Sequence, residues 1–308
     1  MTYLSSSASF RAASPVLRSL RIDLRPAVFL GPLVVLMGVF VYWPVVATIY
    51  LAFFKIGAGG ISKFVGVDNF VAVFSNLQFY DAVINTFIYI LVSLPLKTLL
   101  PIPLAIFLWA TGRRVGDIYK SVLFVPTLLS FLVVSVVWIW ILNPVAGLLQ
   151  SVIRPFGLQL SPLLSDASTA IYVIVGVSTW KVLGYNVLLY LAGLSSIGAD
   201  YIEAMRMDGA GDWTIVRRLI VPLLSPTIYF VAVSTAIFTT QQVVTPIDAM
   251  TQGGPLNATT NVFYVVYQFM FQSFNVGYAA AGAVVVIAVV GVAAAIQMVW
   301  FGRRVHYS

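Results

Sequence analysis

Residues 201–226 read YIEAMRMDGAGDWTIVRRLIVPLLSP and form the most charged stretch of a chain that is 60% hydrophobic. The first part predicts a short helix, which Gly209 and Gly211 interrupt because glycine readily takes the backbone angles that end a helix. Asp212 can cap a second helix, and Pro222 suits the first turn of a third. We expect the apolar side chains that project outward from this loop to be Ile202, Met205 and Trp213. The stretch therefore predicts a compact helix–turn–helix projection rather than a simple connection.

The hydrophobic sequence on either side of this projection requires a membrane. Only 9% of the 308 residues are charged and the mean hydropathy is +0.99, whereas about a quarter of a soluble domain is charged. Each crossing of a bilayer needs about 20 apolar residues. We therefore predict an all-α polytopic membrane protein. Its six transmembrane helices are expected at residues 27–54, 82–110, 121–142, 169–194, 222–244 and 276–301.

The positions of the basic residues predict the orientation, because cytoplasmic segments of membrane proteins are rich in lysine and arginine. With both termini inside, twelve of the 17 basic residues fall in cytoplasmic segments and three in outer loops. This predicts cytoplasmic tails at residues 1–26 and 302–308, and a membrane domain at residues 27–301 whose polar loop 195–226 faces the cytoplasm. The net charge of +7 is then a topology signal, and no nucleic-acid partner is expected.

Several functional classes are disfavoured by what the sequence lacks. There is no cysteine, and the one histidine is His306, so we expect no metal site. The phosphate-binding pattern Gly-x-x-x-x-Gly-Lys-Ser/Thr is absent, so this chain is not expected to hydrolyse ATP itself. No acidic residue falls in a predicted span, which disfavours a proton- or sodium-driven carrier. A membrane enzyme is also disfavoured, since the nearest cluster of titratable groups lies on a loop without a pocket.

The loop resembles a known family pattern. Glu203-Ala204-Met205, Asp208-Gly209-Ala210 and the spacing of Pro222 and Pro226 resemble the EAA loop of ABC importer permeases. Met205 replaces the usual alanine, a change that keeps the helix. The resemblance implies the type I ABC importer transmembrane-domain fold, a place in the bacterial cytoplasmic (inner) membrane, and docking of this loop on an ATP-hydrolysing subunit. The residues implied in that coupling are Glu203, Ala204, Asp208, Gly209, Ala210 and Gly211.

The physical alternative for the loop is an amphipathic hairpin that lies on lipid headgroups. Arg206, Arg217 and Arg218 fit either interpretation, because they could meet acidic groups of a partner or the phosphates of the membrane surface. The residues alone leave both open.

Three further stretches narrow the resemblance: FVGVDNF at 64–70, WIWILNP at 138–144 and DAMTQGGP at 248–255. They resemble the maltose and glycerol-3-phosphate branch of these permeases, and within it the first of the two paired permeases. The implied partners are a second permease, a dimer of ATP-binding subunits, an extracytoplasmic solute-binding protein and membrane lipid. The chain itself would hold no cofactor, since ATP would bind the partner subunits. Whether the solute is a neutral sugar or a phosphorylated one stays open, as does which permease holds it.

Polar groups inside predicted spans are costly and are therefore candidates for the solute pathway. A lysine, an aromatic ring and an amide suit a hydroxylated ligand, and such groups occur in spans two, four and five. The candidates are Lys97, Lys181, Tyr185, Asn186, Gln241 and Gln242. Two alternatives remain: Lys97 could mark a subunit interface, and the glutamines could form hydrogen bonds between helices.

Overall fold

The computed structural model describes residues 25–56, 62–111 and 113–302. The tails predicted at residues 1–26 and 302–308 fall almost wholly outside the described residues. Two compact units are distinguished, Met1–Ala47 and Thr48–Ser308. The first contains α1 and the start of α2, and the second contains the β-hairpin, the charged loop and the cavity described below.

The helices are numbered in chain order. In the first half they are α1 (Arg25–Met37), α2 (Trp43–Leu51), α3 (Asp68–Phe74), α4 (Leu77–Thr98), α5 (Pro101–Ala110), α6 (Arg113–Leu128), α7 (Phe131–Ile141) and α8 (Leu148–Ile153). In the second half they are α9 (Ala170–Ser195), α10 (Ala199–Met207), α11 (Asp212–Ile215), α12 (Val221–Leu223), α13 (Ser225–Gln242), α14 (Val244–Met250), α15 (Val262–Tyr267) and α16 (Val276–Gly302). Single turns of π-helix occupy Gly38–Tyr42, Val216–Ile220 and Gln268–Gln272, and a 3-10 turn occupies Arg154–Phe156.

Four helical stretches of the described residues are long and apolar enough to cross a membrane: Leu30–Leu51, Leu77–Ala110, Ala170–Ser195 and Ser225–Met250. A fifth is added if a bent helix pair forms one crossing. The sixth predicted span coincides with α16, in which Val276–Val292 is a shorter apolar helix. The polytopic, largely helical architecture predicted from the composition is therefore confirmed.

The third predicted span is not one continuous helix. The axes of α6 and α7 differ by 100° across a short break. Two residues explain the break. Pro126 lies in the last turn of α6, where it removes a helical hydrogen bond. Ser130 then caps α7, since its hydroxyl accepts the backbone N–H of Val133 at 3.2 Å.

A short β-hairpin, which the sequence did not predict, follows the first helices. Strands β1 (Phe54–Ile56) and β2 (Ser62–Phe64) pair antiparallel, with Lys55 opposite Lys63. The side-chain amide of Asn69, at the start of α3, donates to the carbonyls of Ala52 at 2.9 Å and Phe54 at 3.0 Å. This buried amide fixes the hairpin to the helical body.

The expectation that no acidic residue lies in a span is wrong. Asp81 lies in the stretch Leu77–Ala110, Asp117 in the bent-pair helix Gly116–Leu128 and Asp248 in the stretch Ser225–Met250, because these helices extend beyond the predicted bounds. All three residues are close to a helix end, and Asp248 accepts a hydrogen bond from the Tyr264 hydroxyl at 3.0 Å. The central parts of the four long candidate spans carry no carboxylate.

Candidate coupling loop and central cavity

The break in the charged loop is a well-defined helix end. Helix α10 stops at Met207, and Gly209 adopts a φ of +79°. The N–H of Gly209 donates to the carbonyl of Arg206 at 3.0 Å, and the N–H of Ala210 donates to the carbonyl of Met205 at 3.0 Å. This pair of bonds is a Schellman motif, which needs a left-handed residue at the position of Gly209. Glycine takes that conformation without steric cost.

The cap of the next helix differs from the prediction. Gly211, in an extended conformation, is the N-cap of α11, and its carbonyl accepts the N–H of Thr214 at 2.9 Å. Asp212 is the first residue of α11 instead, and its carboxylate lies 3.4 Å from the guanidinium of Arg206. Both side chains of this ion pair are exposed, so it adds little stability.

The loop has one buried and one exposed face. Its buried face packs into a core cluster that α5, α9 and α13 share. On this face lie Ile202, Met205, Ala210, Ile215 and Ile220. The exposed face presents Met207, which is 88% exposed, and Trp213, which is 76% exposed, beside Tyr201 and Glu203.

The prediction of which apolar side chains project outward is therefore partly wrong. Ile202 and Met205 face inward, and only Trp213 of the three projects outward. Ile202 and Met205 face inward because α10 packs against the core cluster that α5, α9 and α13 share.

This arrangement ties the exposed loop to the membrane helices. Ile215 and Ile220 are 3% exposed, and they belong to the same cluster as Leu194 at the end of α9 and Leu224 at the start of α13. Because a packed interior is nearly incompressible, a displacement of the exposed face is transmitted to those helices. The loop can therefore move together with the end of α9 and the start of α13.

An open cavity of about 380 Å³, here called the central cavity, lies between α4, α9 and α13, and its lining side chains Tyr185, Phe230 and Phe238 are about half exposed. Four of the six predicted pathway residues line it: Lys97, Tyr185, Asn186 and Gln242. The rest of the lining combines hydroxyl groups with aromatic and aliphatic side chains. These residues are Ser234, Thr235, Thr239, Phe230, Phe238, Val182, Leu189 and Val231. Aromatic rings beside hydroxyl and amide groups can bind a polyhydroxylated molecule.

The break between α4 and α5 positions Lys97 at this cavity. Because Pro101 has no N–H, the carbonyl of Lys97 lacks its helical donor. The amide of Asn186 donates to it at 2.8 Å, and the hydroxyl of Tyr190 donates to the carbonyl of Thr98 at 2.9 Å. Tyr190 was missed in the sequence, although a proline that frees upstream carbonyls signals that donors must come from a neighbouring helix.

Lys181 lies outside the cavity, at the break between α6 and α7. Its ammonium donates to the carbonyl of Thr127 at 3.2 Å and is 4.5 Å from the ring centre of Phe131, while the Thr127 hydroxyl donates to the carbonyl of Lys181 at 3.0 Å. Thr127 is in the last turn of α6, where a cation is favoured. The contacts of Lys181 therefore stabilise the break between α6 and α7. Neither it nor the exposed Gln241 is part of the cavity lining, and their pathway roles stay predictions.

A metal site was not expected, and the described ranges contain no group of three or more His, Cys, Asp or Glu side chains arranged to hold an ion.

Comparison with known protein families gives one match that covers most of the chain. Residues 69–307 match the family described as binding-protein-dependent transport system inner membrane component. The chain is also similar to curated sn-glycerol-3-phosphate transport system permease proteins UgpA. It is 34% identical to that of Brucella abortus and 32% identical to that of Agrobacterium fabrum, in each case over 92% of this chain and 96% of the relative.

Solved structures show the same fold. A bacterial ABC transporter involved in the import of the acidic polysaccharide alginate contains a chain that matches with a TM-score of 0.81 at 22% identity. The match covers 91% of this chain and 97% of that one. A second structure, of the alginate transporter with an alginate pentasaccharide-bound periplasmic protein, gives a TM-score of 0.78 at 21% identity over 91% and 96% of the two chains.

Proposed function

This chain belongs to the family of binding-protein-dependent transport system inner membrane components, and on that premise we propose that it forms, with a second permease, the membrane pathway of an ATP-driven solute importer. The observation that carries the proposal is the charged loop, whose buried face packs on α9 and α13, two of the helices that line the central cavity, while its other face stays exposed. A permease that only formed a pore would not need such a projection. It is a transport protein and not an enzyme.

In this proposal a dimer of separate ATPase subunits binds the loop and holds the ATP. Of the residues implied in coupling, the contact residues are the exposed Glu203, Ala204, Asp208, Gly209 and Gly211, whereas Ala210 packs inward and holds the Schellman turn on the core. Support comes from the exposure of Glu203 and from the absence of a phosphate-binding sequence in this chain.

The alternative, in which the loop lies on lipid, fits less well. Glu203, Asp208 and Asp212 are all exposed on the outward side. Carboxylates there would be repelled by anionic headgroups, whereas membrane-surface helices carry mainly basic residues on their polar face.

The proposed topology has six crossings with both termini in the cytoplasm. The four long helices give four, the bent pair α6–α7 gives a fifth, and α16, which is 27 residues long, gives the sixth. The excess of basic residues in the segments assigned to the cytoplasm supports this orientation.

The proposed solute is a hydroxylated compound of the sugar or glycerol-phosphate type. An extracytoplasmic binding protein would deliver it, and it would pass through the cavity lined by Lys97, Tyr185, Asn186 and Gln242. The UgpA relatives, which are named for glycerol-3-phosphate, support this class, as does the mixture of rings and hydrogen-bonding groups.

Reconstitution tests the proposal. We expect proteoliposomes that contain this chain, its paired permease and the ATPase subunits to accumulate solute only when ATP and the solute-loaded binding protein are both supplied. Uptake of radiolabelled solute is the measurement, and liposomes without this chain are the control. Uptake that proceeds equally without ATP, or that follows a proton gradient instead, would reject the importer assignment.

A further inference from the structure

Lys97 lies in the last turn of α4, inside the long apolar stretch Leu77–Ala110. Only 2% of its surface is exposed, yet its side chain lines the central cavity. A charged group at this depth is costly unless another group compensates it. The cavity lining contains no aspartate or glutamate, and within the described residues no carboxylate lies within 4.0 Å of the Lys97 ammonium.

The protein uses only part of the hydrogen-bonding capacity of the Lys97 ammonium. One hydrogen bond joins Lys97 Nζ to the hydroxyl of Thr239 at 3.1 Å. An ammonium has three donors, so two are left for a ligand in the cavity. The cation of Lys181 does not compete for such a ligand, because it is engaged at the helix break with the carbonyl of Thr127.

The surrounding groups suit a small, partly polar ligand. Tyr185, Phe230 and Phe238 provide aromatic surface, while Gln242 and Ser234 provide hydrogen-bonding groups. The side-chain amide of Asn186 donates to the backbone carbonyl of Lys97, and this bond fixes the position from which the lysine side chain extends.

From this geometry we propose that the central cavity binds the anionic group of its solute, a phosphate monoester or a carboxylate, directly on the ammonium of Lys97. The hydroxylated carbon skeleton then lies against the aromatic side chains. This inference rests on the proposed importer function and selects the anionic member of the solute class left open above. Lys97 is accordingly a specificity residue rather than a structural one.

The test uses the complete transporter with its binding protein. Thermal shifts of the binding protein first select the solute from an anionic set (sn-glycerol 3-phosphate, glucose 6-phosphate, glucuronate) and a neutral set (glycerol, glucose, maltose). ATP-driven uptake of the selected probe is then compared between wild type and Lys97→Met. Because hydrogen bonds to a charged group are worth about 1.5–3 kcal/mol, we expect uptake of an anionic probe to fall about 10- to 100-fold.

Two further variants separate binding from folding. Lys97→Arg keeps the cation and should retain most of the uptake, whereas Lys120→Met removes a lysine whose ammonium pairs with Asp117 on an exposed helix surface and should change nothing. Assembly, measured by co-purification of the subunits, should be intact in all three.

Three results would overturn the inference. They are unchanged anionic uptake by Lys97→Met, loss of subunit assembly in that variant, and ATP-driven uptake of neutral probes only. In the last case the importer function stands and the anion site fails. If wild type takes up none of the six probes with ATP, the importer function fails and the anion site with it.

Discussion

Replacing Gly209 with valine is expected to reduce ATP-driven uptake by at least about tenfold while leaving the amount of protein in the membrane unchanged. The φ of Gly209 is +79°, and no atom lies within 4 Å of the position a Cβ would take. The effect is therefore one of conformation rather than of collision. A left-handed conformation costs an ordinary residue about 1–2 kcal/mol, and a β-branched residue is a genuine outlier there.

The loss of the Schellman turn explains why a local strain has a large functional effect. If the substituted valine moves to a favourable conformation, the bonds from residues 209 and 210 to Arg206 and Met205 break, and α10 no longer ends against α11. The exposed face then loses the shape that the ATPase would recognise. Uptake into proteoliposomes and co-purification of the ATPase subunits measure the two consequences.

Gly157→Val is the matched control. Gly157 has a φ of +72° and likewise has open space around its Cβ position, but it lies in the segment between α8 and α9, which is predicted to be on the outer side. We expect near-normal uptake from this variant. Equal losses in the two variants would mean that uptake responds to backbone strain anywhere and would remove the evidence for coupling.

The second large effect is on folding and concerns Gly184. Helix α9 crosses α6 so closely at this glycine that an added Cβ would overlap the backbone carbonyl of Leu123 and would lie 2.9 Å from the Cα of Phe124. Backbone atoms cannot rotate away as a side chain can. Overpacking costs about 1–3 kcal/mol where side chains can adjust, and we expect Gly184→Ala to exceed that range and to lose most of the folded protein.

Gly176→Ala provides the comparison within the same helix. Gly176 has no neighbouring atom within 4 Å of its Cβ position, and alanine favours a helix over glycine by about 1 kcal/mol. We expect a monodisperse peak of wild-type height in detergent and an equal or higher melting temperature. If both variants give the same peak height and melting temperature, α6 and α9 do not cross as closely as described.

The sequence predicted best those features that depend on local chemistry. The end of α10 before Gly209 follows from what glycine does to a helix, and the structure contains it. Lys97, Tyr185, Asn186 and Gln242 were found because polar groups are conspicuous in apolar helices, and the fold brings them to one cavity.

The remaining features depend on contacts between segments far apart in the chain. Lys181 resembles a pathway residue until the bend after α6 brings the carbonyl of Thr127 to its ammonium. Tyr190 is an ordinary aromatic residue until α9 lies beside the carbonyl of Thr98 at the end of α4. The inward orientation of Met205 depends on the core of α5 and α13. None of these contacts can be read from spacing within one helix.

The central claim, that the projection at residues 201–226 meets the ATPase, can be tested by crosslinking, because the chain contains no cysteine. Single-cysteine variants Met207→Cys and Leu256→Cys place a thiol at two residues that are 88% and 93% exposed, on opposite sides of the proposed topology. With a cysteine-to-lysine reagent in membranes that contain the full complex, we predict a crosslink between Met207→Cys and the ATPase subunit and none from Leu256→Cys. A crosslink from Leu256→Cys alone, or labelling of Met207→Cys by an impermeant reagent outside intact cells, would contradict it.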